Sequence, residues 1–264
     1  MTAIECMSVS PDLRKNQCGF TLVEIAIAIF IITILLGSIL VPLTTQIEQR
    51  QVSETQKMLE DIKEALVGHA VARGYLPCPD RTSGGVGGAN DTANDGVEDF
   101  NTGTGVCFST TATGNVPWVT LGLGASDPWG NRFRYRVHSD FSKRVPATLT
   151  TPVTVPATPA PFKLATESNL TIKVSAFGAN LTDSAVVVII SHGRNGLGAI
   201  GAQTSVLNPT PSSMDETANY SNTNNYVSHA QTAVGSTAGE FDDVVTWLGR
   251  YSLYNRMVSA GKLP

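Results

Sequence analysis

Glu24 is the residue whose surroundings most demand a chemical explanation. It stands at the edge of an apolar run from Ile25 to Leu43 that only Thr33, Gly37, Ser38 and Pro42 interrupt. A carboxylate in a segment suited to lipid is costly and marks a functional group with a partner. Other candidate chemistry falls away on context. Gly196-Leu197-Gly198-Ala199-Ile200-Gly201 has the spacing of a dinucleotide fingerprint. However, Ser191 to Asn195 separate it from the preceding apolar strand, Pro209 and Pro211 follow in place of a helix, and no acid ends a second strand at the right distance. Asp91, Asp95 and Gly96 fit positions one, five and six of a calcium loop, with Glu98 and Asp99 nearby, but Ala93 and Thr102 occupy its third and twelfth positions. The four histidines, His69, His138, His192 and His229, form no H-x-x-x-H pair, and no G-x-S-x-G turn exists. Ser191 beside His192 is not a dyad by adjacency, because catalytic partners must meet in space. The chain is expected not to be an enzyme.

Glu24 belongs to Gly19-Phe20-Thr21-Leu22-Val23-Glu24, preceded by Arg14 and Lys15 and followed by the apolar run. This N-terminus resembles that of type IV prepilins and pseudopilins. The resemblance implies that a prepilin peptidase cuts between Gly19 and Phe20. Phe20 then becomes the mature, N-methylated terminus, and Glu24 neutralises the Phe20 ammonium of a neighbouring subunit during filament growth. Two such charges in a low-dielectric helix bundle each need the other. An ordinary signal peptide does not fit, because the apolar region follows the Gly19-Phe20 site and no small-x-small site follows that region. A lipoprotein reading of Cys18 fails as well, since polar Asn16 and Gln17 precede it.

These features set the expected organisation. Residues 1–19 form a leader and 20–43 a transmembrane helix, for which about 20 apolar residues suffice. Arg14 and Lys15 hold the N-terminus in the cytoplasm. Residues 44–74 continue the helix amphipathically, with Ile47, Met58, Leu59, Ile62, Leu66 and Ala70 at helical spacing. At 1.5 Å per residue the whole helix runs on the order of 80 Å. Residues 75–264 form a periplasmic β-rich head. The expected fold class is α+β, a long N-terminal helix packed on an antiparallel sheet. The subunit is expected in the inner membrane as a single pass, then in a pilus or pseudopilus filament.

Of the four cysteines, Cys6 and Cys18 precede the cut and are lost with the leader. Cys78 and Cys107 remain in an exported segment, where a disulfide is the natural state and two buried free thiols the alternative. Arg81 to Thr113 is rich in Gly, Asn, Asp and Thr and reads as a long loop. Asp127-Pro128-Trp129-Gly130-Asn131 is a turn, and the alternation after it makes a half-buried strand. Phe133, Tyr135 and Val137 take one face, while Arg132, Arg134 and Arg136 form a solvated row on the other. This passage is also similar to the turn and strand of type II secretion pseudopilins. Residues 146–161 form a linker, Leu170 to Val174 and Ala185 to Ile190 strands, Glu240 to Leu248 a last strand or helix start, and Ser252 to Ala260 a short helix that packs through Leu253, Met257 and Val258.

The net charge of −4 and a charged content of 15% give no broad basic surface, so nucleic acid is not an expected partner. The expected partners are the prepilin peptidase, other pilins or pseudopilins, the inner-membrane assembly platform and lipid. No resident cofactor is expected. Some major pseudopilins bind calcium in a C-terminal loop, which makes Asp242 and Asp243 the metal candidates here, although the Thr204 to Gly239 insertion departs from that pattern. The expected function is structural, in a type IV pilus or a type II secretion pseudopilus. The alternative is a filament-displayed adhesin or DNA-binding minor pilin, whose DNA affinity would fall with salt and on changing Arg132, Arg134 and Arg136.

Overall fold

The computed structural model describes residues 21–83, 92–108, 113–144, 161–236 and 239–263, without the side chains of 36–44. Gly19, Phe20, Asp91 and nearly all of the 146–161 linker lie outside the described residues. The chain divides into two compact units, 1–48 and 49–264.

Helix α1 spans Leu22–Arg73. Its start is a reciprocal cap. The Glu24 amide donates to Thr21 Oγ1 (3.2 Å), while the Thr21 amide and hydroxyl both donate to Glu24 Oε2 (2.9 Å each). This T-x-x-E box satisfies amides that the first turn of a helix otherwise leaves without partners. Every described side chain from 21 to 35 is exposed, including Leu22, Ile25, Ile29 and Phe30. Among the described residues no helix is long and apolar enough to cross a membrane. The fully described apolar stretch, 22–35, is shorter than the roughly 20 residues a span needs.

Within the second unit, Thr55, Leu59, Ile62, Leu66 and Ala70 are buried at steps of four, three, four and four residues. That stripe is one face of a helix. Ile47, which shares the spacing, is exposed. Gly74 ends α1 at φ 87°, and its amide donates to the Ala70 carbonyl (2.7 Å). Glycine takes this left-handed closing position without strain.

The head follows as β1 (Thr113–Asn115), α2 (Trp118–Leu121), β2 (Arg134–Val137), a 3₁₀ turn (Ser139–Phe141), β3 (Leu170–Lys173), β4 (Asn180–Ser191), α3 (Met214–Tyr220), β5 (Asn225–Val227), β6 (Val244–Gly249) and α4 (Arg250–Ser259). The expected α+β class holds, with a six-stranded, mostly antiparallel sheet. β4 is its spine, pairing antiparallel with β2, β3 and β6, while β1 extends β2. β5 departs from the expected antiparallel sheet by joining β3 in parallel. A parallel pair needs a long crossover, which the chain from β3 through β4 and α3 provides.

β4 carries two cores because both of its faces are covered. Val186, Val187 and Ile189 join the α1 stripe, Phe133, Tyr135, Val137, Phe141 and α4. Ala185, Val188 and Ile190 join Leu170, Ile172 and Tyr226. A register slip between Ala185 and Val187 brings the neighbours Val186 and Val187 into the same cluster. In α4, Leu253 and Met257 are buried as expected but Val258 is exposed. Val258 follows Met257 directly, and a step of about 100° around the helix turns it away from the face that Leu253 and Met257 share.

Candidate functional site

The N-terminal site contains one acid, Glu24, held by Thr21 at the mouth of α1. The T-x-x-E spacing of Thr21 and Glu24 is the sequence signal of this partnership. The cap leaves the carboxylate at the surface, beside the apolar side chains that follow it.

The arginine row corrects a sequence expectation. Arg132 and Arg136 are only 6% and 8% exposed, and Arg134 is half-buried. The row is not a solvated face, because chain from much later in the sequence covers it. Arg134 Nη2 donates to the Tyr220 carbonyl (2.6 Å) and to Asn222 Oδ1 (2.8 Å). Arg136 donates to Thr113 Oγ1 (2.9 Å) and Asn224 Oδ1 (2.7 Å). Arg132 Nη2 reaches the Ala202 carbonyl (3.3 Å) and Ser205 Oγ (3.2 Å), and its guanidinium lies 4.0 Å from the centre of the Trp118 ring. All these acceptors are neutral. Among the described residues no carboxylate forms an ion pair with the row, whereas Arg144 pairs with Glu98 and Arg256 with Glu64. Burial presses all three arginines below their ordinary pKa. Their charge persists, since a guanidinium does not deprotonate in proteins.

Two glycines seat the aromatic rings beside this row. A Cβ on Gly96 (φ +81°) would lie 2.3 Å from Trp118, and one on Gly198 (φ +80°) 2.6 Å from Tyr220. Arg134 in turn lies 5.6 Å from the centre of the Tyr220 ring. The rejected fingerprint at 196–201 is therefore a packed loop, with Gly198 placed where a ring crosses the backbone.

Residues 14–40 match the family model for the prokaryotic N-terminal methylation motif. The match supports a type IV pilin-like or pseudopilin family. The motif indicates pilin-type proteins that assemble into pili or pseudopili, a structural rather than enzymatic family, and it implies processing by a prepilin peptidase and assembly with other pilins. No curated protein and no solved structure matches the chain.

In the head, Cys78 and Cys107 are joined by a disulfide. The segment it closes is not merely a solvated loop. Gly96, Glu98 and Asp99 are buried, and Asp80, fully buried beside Asp99, has a carboxyl pushed up to about 7 by burial and then by the Asp99 charge. The Gly96 amide donates to Asp80 Oδ2 (3.2 Å).

The metal candidates Asp242 and Asp243 lie in a hydrogen-bond network. Asp243 is buried, its Oδ1 3.1 Å from His192 Nδ1 and its Oδ2 accepting from Asn219 (2.8 Å). Asp242 Oδ2 accepts the Asn195 amide (2.8 Å), and burial lifts its carboxyl to about 6. Glu216 Oε1 accepts from the Asn195 side chain (3.1 Å) and the Asp242 amide (3.2 Å). Burial, then the Asp243 charge, pushes Glu216 up to about 7. Among the described residues no three His, Cys, Asp or Glu side chains are placed to hold a metal ion together. Ser191 donates to Asp127 Oδ2 (2.6 Å), not to His192.

Proposed function

We propose that the chain is a structural pilin-like subunit, a pseudopilin or minor pilin, that assembles into a type IV pilus or a type II secretion pseudopilus after its leader is removed. The observation that carries this reading is the methylation motif at 14–40 running into a helix whose side chains from 21 to 35, mostly apolar, are all exposed. An all-round apolar helix needs lipid or other helices around it. In the proposed cycle, the peptidase cuts between Gly19 and Phe20, Phe20 is methylated, and residues 20–43 store the subunit in the inner membrane. The N-terminus is cytoplasmic and the head periplasmic, where an oxidising compartment suits the Cys78–Cys107 bridge. On docking, the exposed apolar side chains exchange lipid for neighbouring helices. Glu24 neutralises the Phe20 ammonium of the adjoining subunit. The assembly platform and lipid are partners in this cycle.

The test is expression with and without the prepilin peptidase, followed by mass spectrometry of the N-terminus for the wild type and Glu24→Ala. The expected product begins at Phe20 in both, and only the wild type enters filaments. A mature chain that retains residues 1–19, or one cut beyond residue 43, would end the proposal. A second reading, a head that displays a binding site from the filament, draws on the cleft beside Arg132 and Arg134. Its DNA-binding form is disfavoured, because buried Arg132 and Arg136 cannot track a phosphate backbone.

A further inference from the structure

Strand β6 pairs with β4 on one side only. Elsewhere the chain guards the edges of its sheet. On β1, Asn115 exchanges main-chain hydrogen bonds with Asp80 (2.7 and 3.1 Å). On β5, the Asn219 side chain bonds both the amide (2.7 Å) and the carbonyl (3.0 Å) of Val227. The overhang of β4, from Asn180 to Ser184, carries the charge of Asp183 and an irregular register. The outer side of the β6 line is closed only where the chain enters it, at Phe241, which exchanges hydrogen bonds with Thr232 (2.8 and 3.1 Å). Successive residues of a strand turn their N–H and C=O groups to opposite sides, so those of Val245 and Trp247 face outward as those of Phe241 do. Among the described residues these groups have no partner. We propose that this edge is a homotypic interface, on which β6 of a second copy pairs antiparallel about a two-fold axis that passes between the two Thr246 residues. The proposal does not rest on the filament reading.

Three observations support it. First, β6 is presented for pairing and not protected from it. Val-Val-Thr-Trp-Leu-Gly contains neither a charge nor a proline, the devices that commonly blunt an edge. Val244 packs on one core and Val245 and Trp247 on the other, so the strand is held from both faces while these residues stay half-buried. Second, the open edge is complementary to itself. The outward residues Val245 and Trp247 flank Thr246 symmetrically, so in an antiparallel copy Val245 of each strand meets Trp247 of the other and every N–H finds a C=O. Third, the two ends of the strand differ in charge. Glu240 and Asp242 stand at its entry and Arg250 at its exit, all half-buried. Antiparallel pairing sets the acidic end of one copy beside the basic end of the other, whereas parallel pairing would set like beside like. A second copy carries both ends in the required order, which an unrelated strand does not.

A single strand pair buries far less than the roughly 1,200–2,000 Å² of a stable interface, so the contact is tested by trapping it. The full chain, with Cys6 and Cys18 changed to serine, is oxidised mildly with copper phenanthroline in detergent micelles, and covalent dimer is followed on non-reducing gels. In the proposed register the two Thr246 residues form a pair that is not hydrogen-bonded, with Cα atoms about 4.5 Å apart, a separation that a disulfide spans. Thr246→Cys is therefore expected to give dimer. Val244→Cys lies on the same face of the strand but about 13 Å from its own mate, four residues away at about 3.3 Å each. Asp183→Cys lies on the guarded overhang of β4. Both should form dimer at least about tenfold more slowly, because cysteines so placed cannot be bridged without backbone movement. Val245→Pro removes an outward amide, at an edge position that tolerates proline, and in combination with Thr246→Cys should cut dimer formation at least about tenfold. Absence of dimer from Thr246→Cys, dimer from Val244→Cys or Asp183→Cys at a comparable rate, or undiminished dimer from a folded chain that also carries Val245→Pro would each overturn the proposal.

Discussion

The start of α1 and the arginine face of β2 both place charge in apolar company, and they resolve it differently. At the start of α1 the charge is single and its partner is local, since Thr21 holds Glu24 through three hydrogen bonds within one turn. The apolar groups beside it have no cover from the described chain. On β2 and just before it the charges are three, and their partners come from residues as far ahead as Asn224. There the chain covers the apolar surface itself but leaves the cations without an anion. The first region thus leaves its apolar side chains uncovered among the described residues, whereas the second is already folded around its charge.

The largest effect that would sharpen this contrast is at Glu24. Glu24→Ala removes the carboxylate's half of the cap together with the charge and should abolish filament incorporation while sparing cleavage. Glu24→Gln keeps an acceptor at the third helical position, so the cap survives and only the charge is lost. Filament yield should be as low as for Glu24→Ala. Normal filaments from Glu24→Gln would show that capping, not charge cancellation, is the function. Next comes the disulfide, which joins residues 29 apart. Replacing Cys78 and Cys107 by serine should lower head stability by roughly 3–4 kcal/mol on the loop-entropy account, measured by denaturant unfolding. A loss well under 1 kcal/mol would mean that the segment is held by its buried contacts alone.

A pair of substitutions then compares the two parts of α1 directly. Leu66→Ala, at a fully buried position, should destabilise the head by about 3 kcal/mol through lost burial and the cavity left behind. Ile29→Ala, at an exposed position, should leave head unfolding unchanged. Equal shifts would break the comparison. The smallest effect is in pH. Asp80 and Glu216 hold their protons up to about 7 in the folded head, against ordinary values of 3.8 and 4.5. Between these limits the folded state binds more protons than the unfolded one, so their contribution to stability falls as pH rises from about 4.5 to about 7. His69 and His138, pressed below 6.5 by burial, oppose this on the acid side. Glu216→Gln preserves the Oε1 acceptor and removes one titration. It should flatten the loss of unfolding midpoint between pH 5 and 7 expected from these groups, and an unchanged profile would refute that role for Glu216.

How much could be read beforehand depended on the range of the interactions. The apolar run and its acid, the helical stripe at Leu59, Ile62, Leu66 and Ala70, and the alternation of Phe133, Tyr135 and Val137 are local patterns, and each appears where the spacing put it. The strand expected at 185–190 is present but begins at Asn180, because β3 pairs with polar residues that carry no periodic signal. The arginines were misjudged for the same reason: alternation identifies two faces of a strand but not what covers each. Tyr220, Asn222 and Asn224, which cover this one, lie in an Asn/Ser/Thr-rich stretch whose composition suggests only loop. The buried His192–Asp243 contact spans 51 residues and was equally invisible.

From its order of residues alone, this protein declares an acid-bearing apolar segment and the strand and helix periods of its head. Both arise from neighbours within a turn or a pleat, where geometry is set by the backbone. The tertiary structure decided which charges lie buried, which strand runs parallel and where a cleft opens. Those outcomes depend on segments tens of residues apart meeting, and the free energy of that meeting belongs to no single segment.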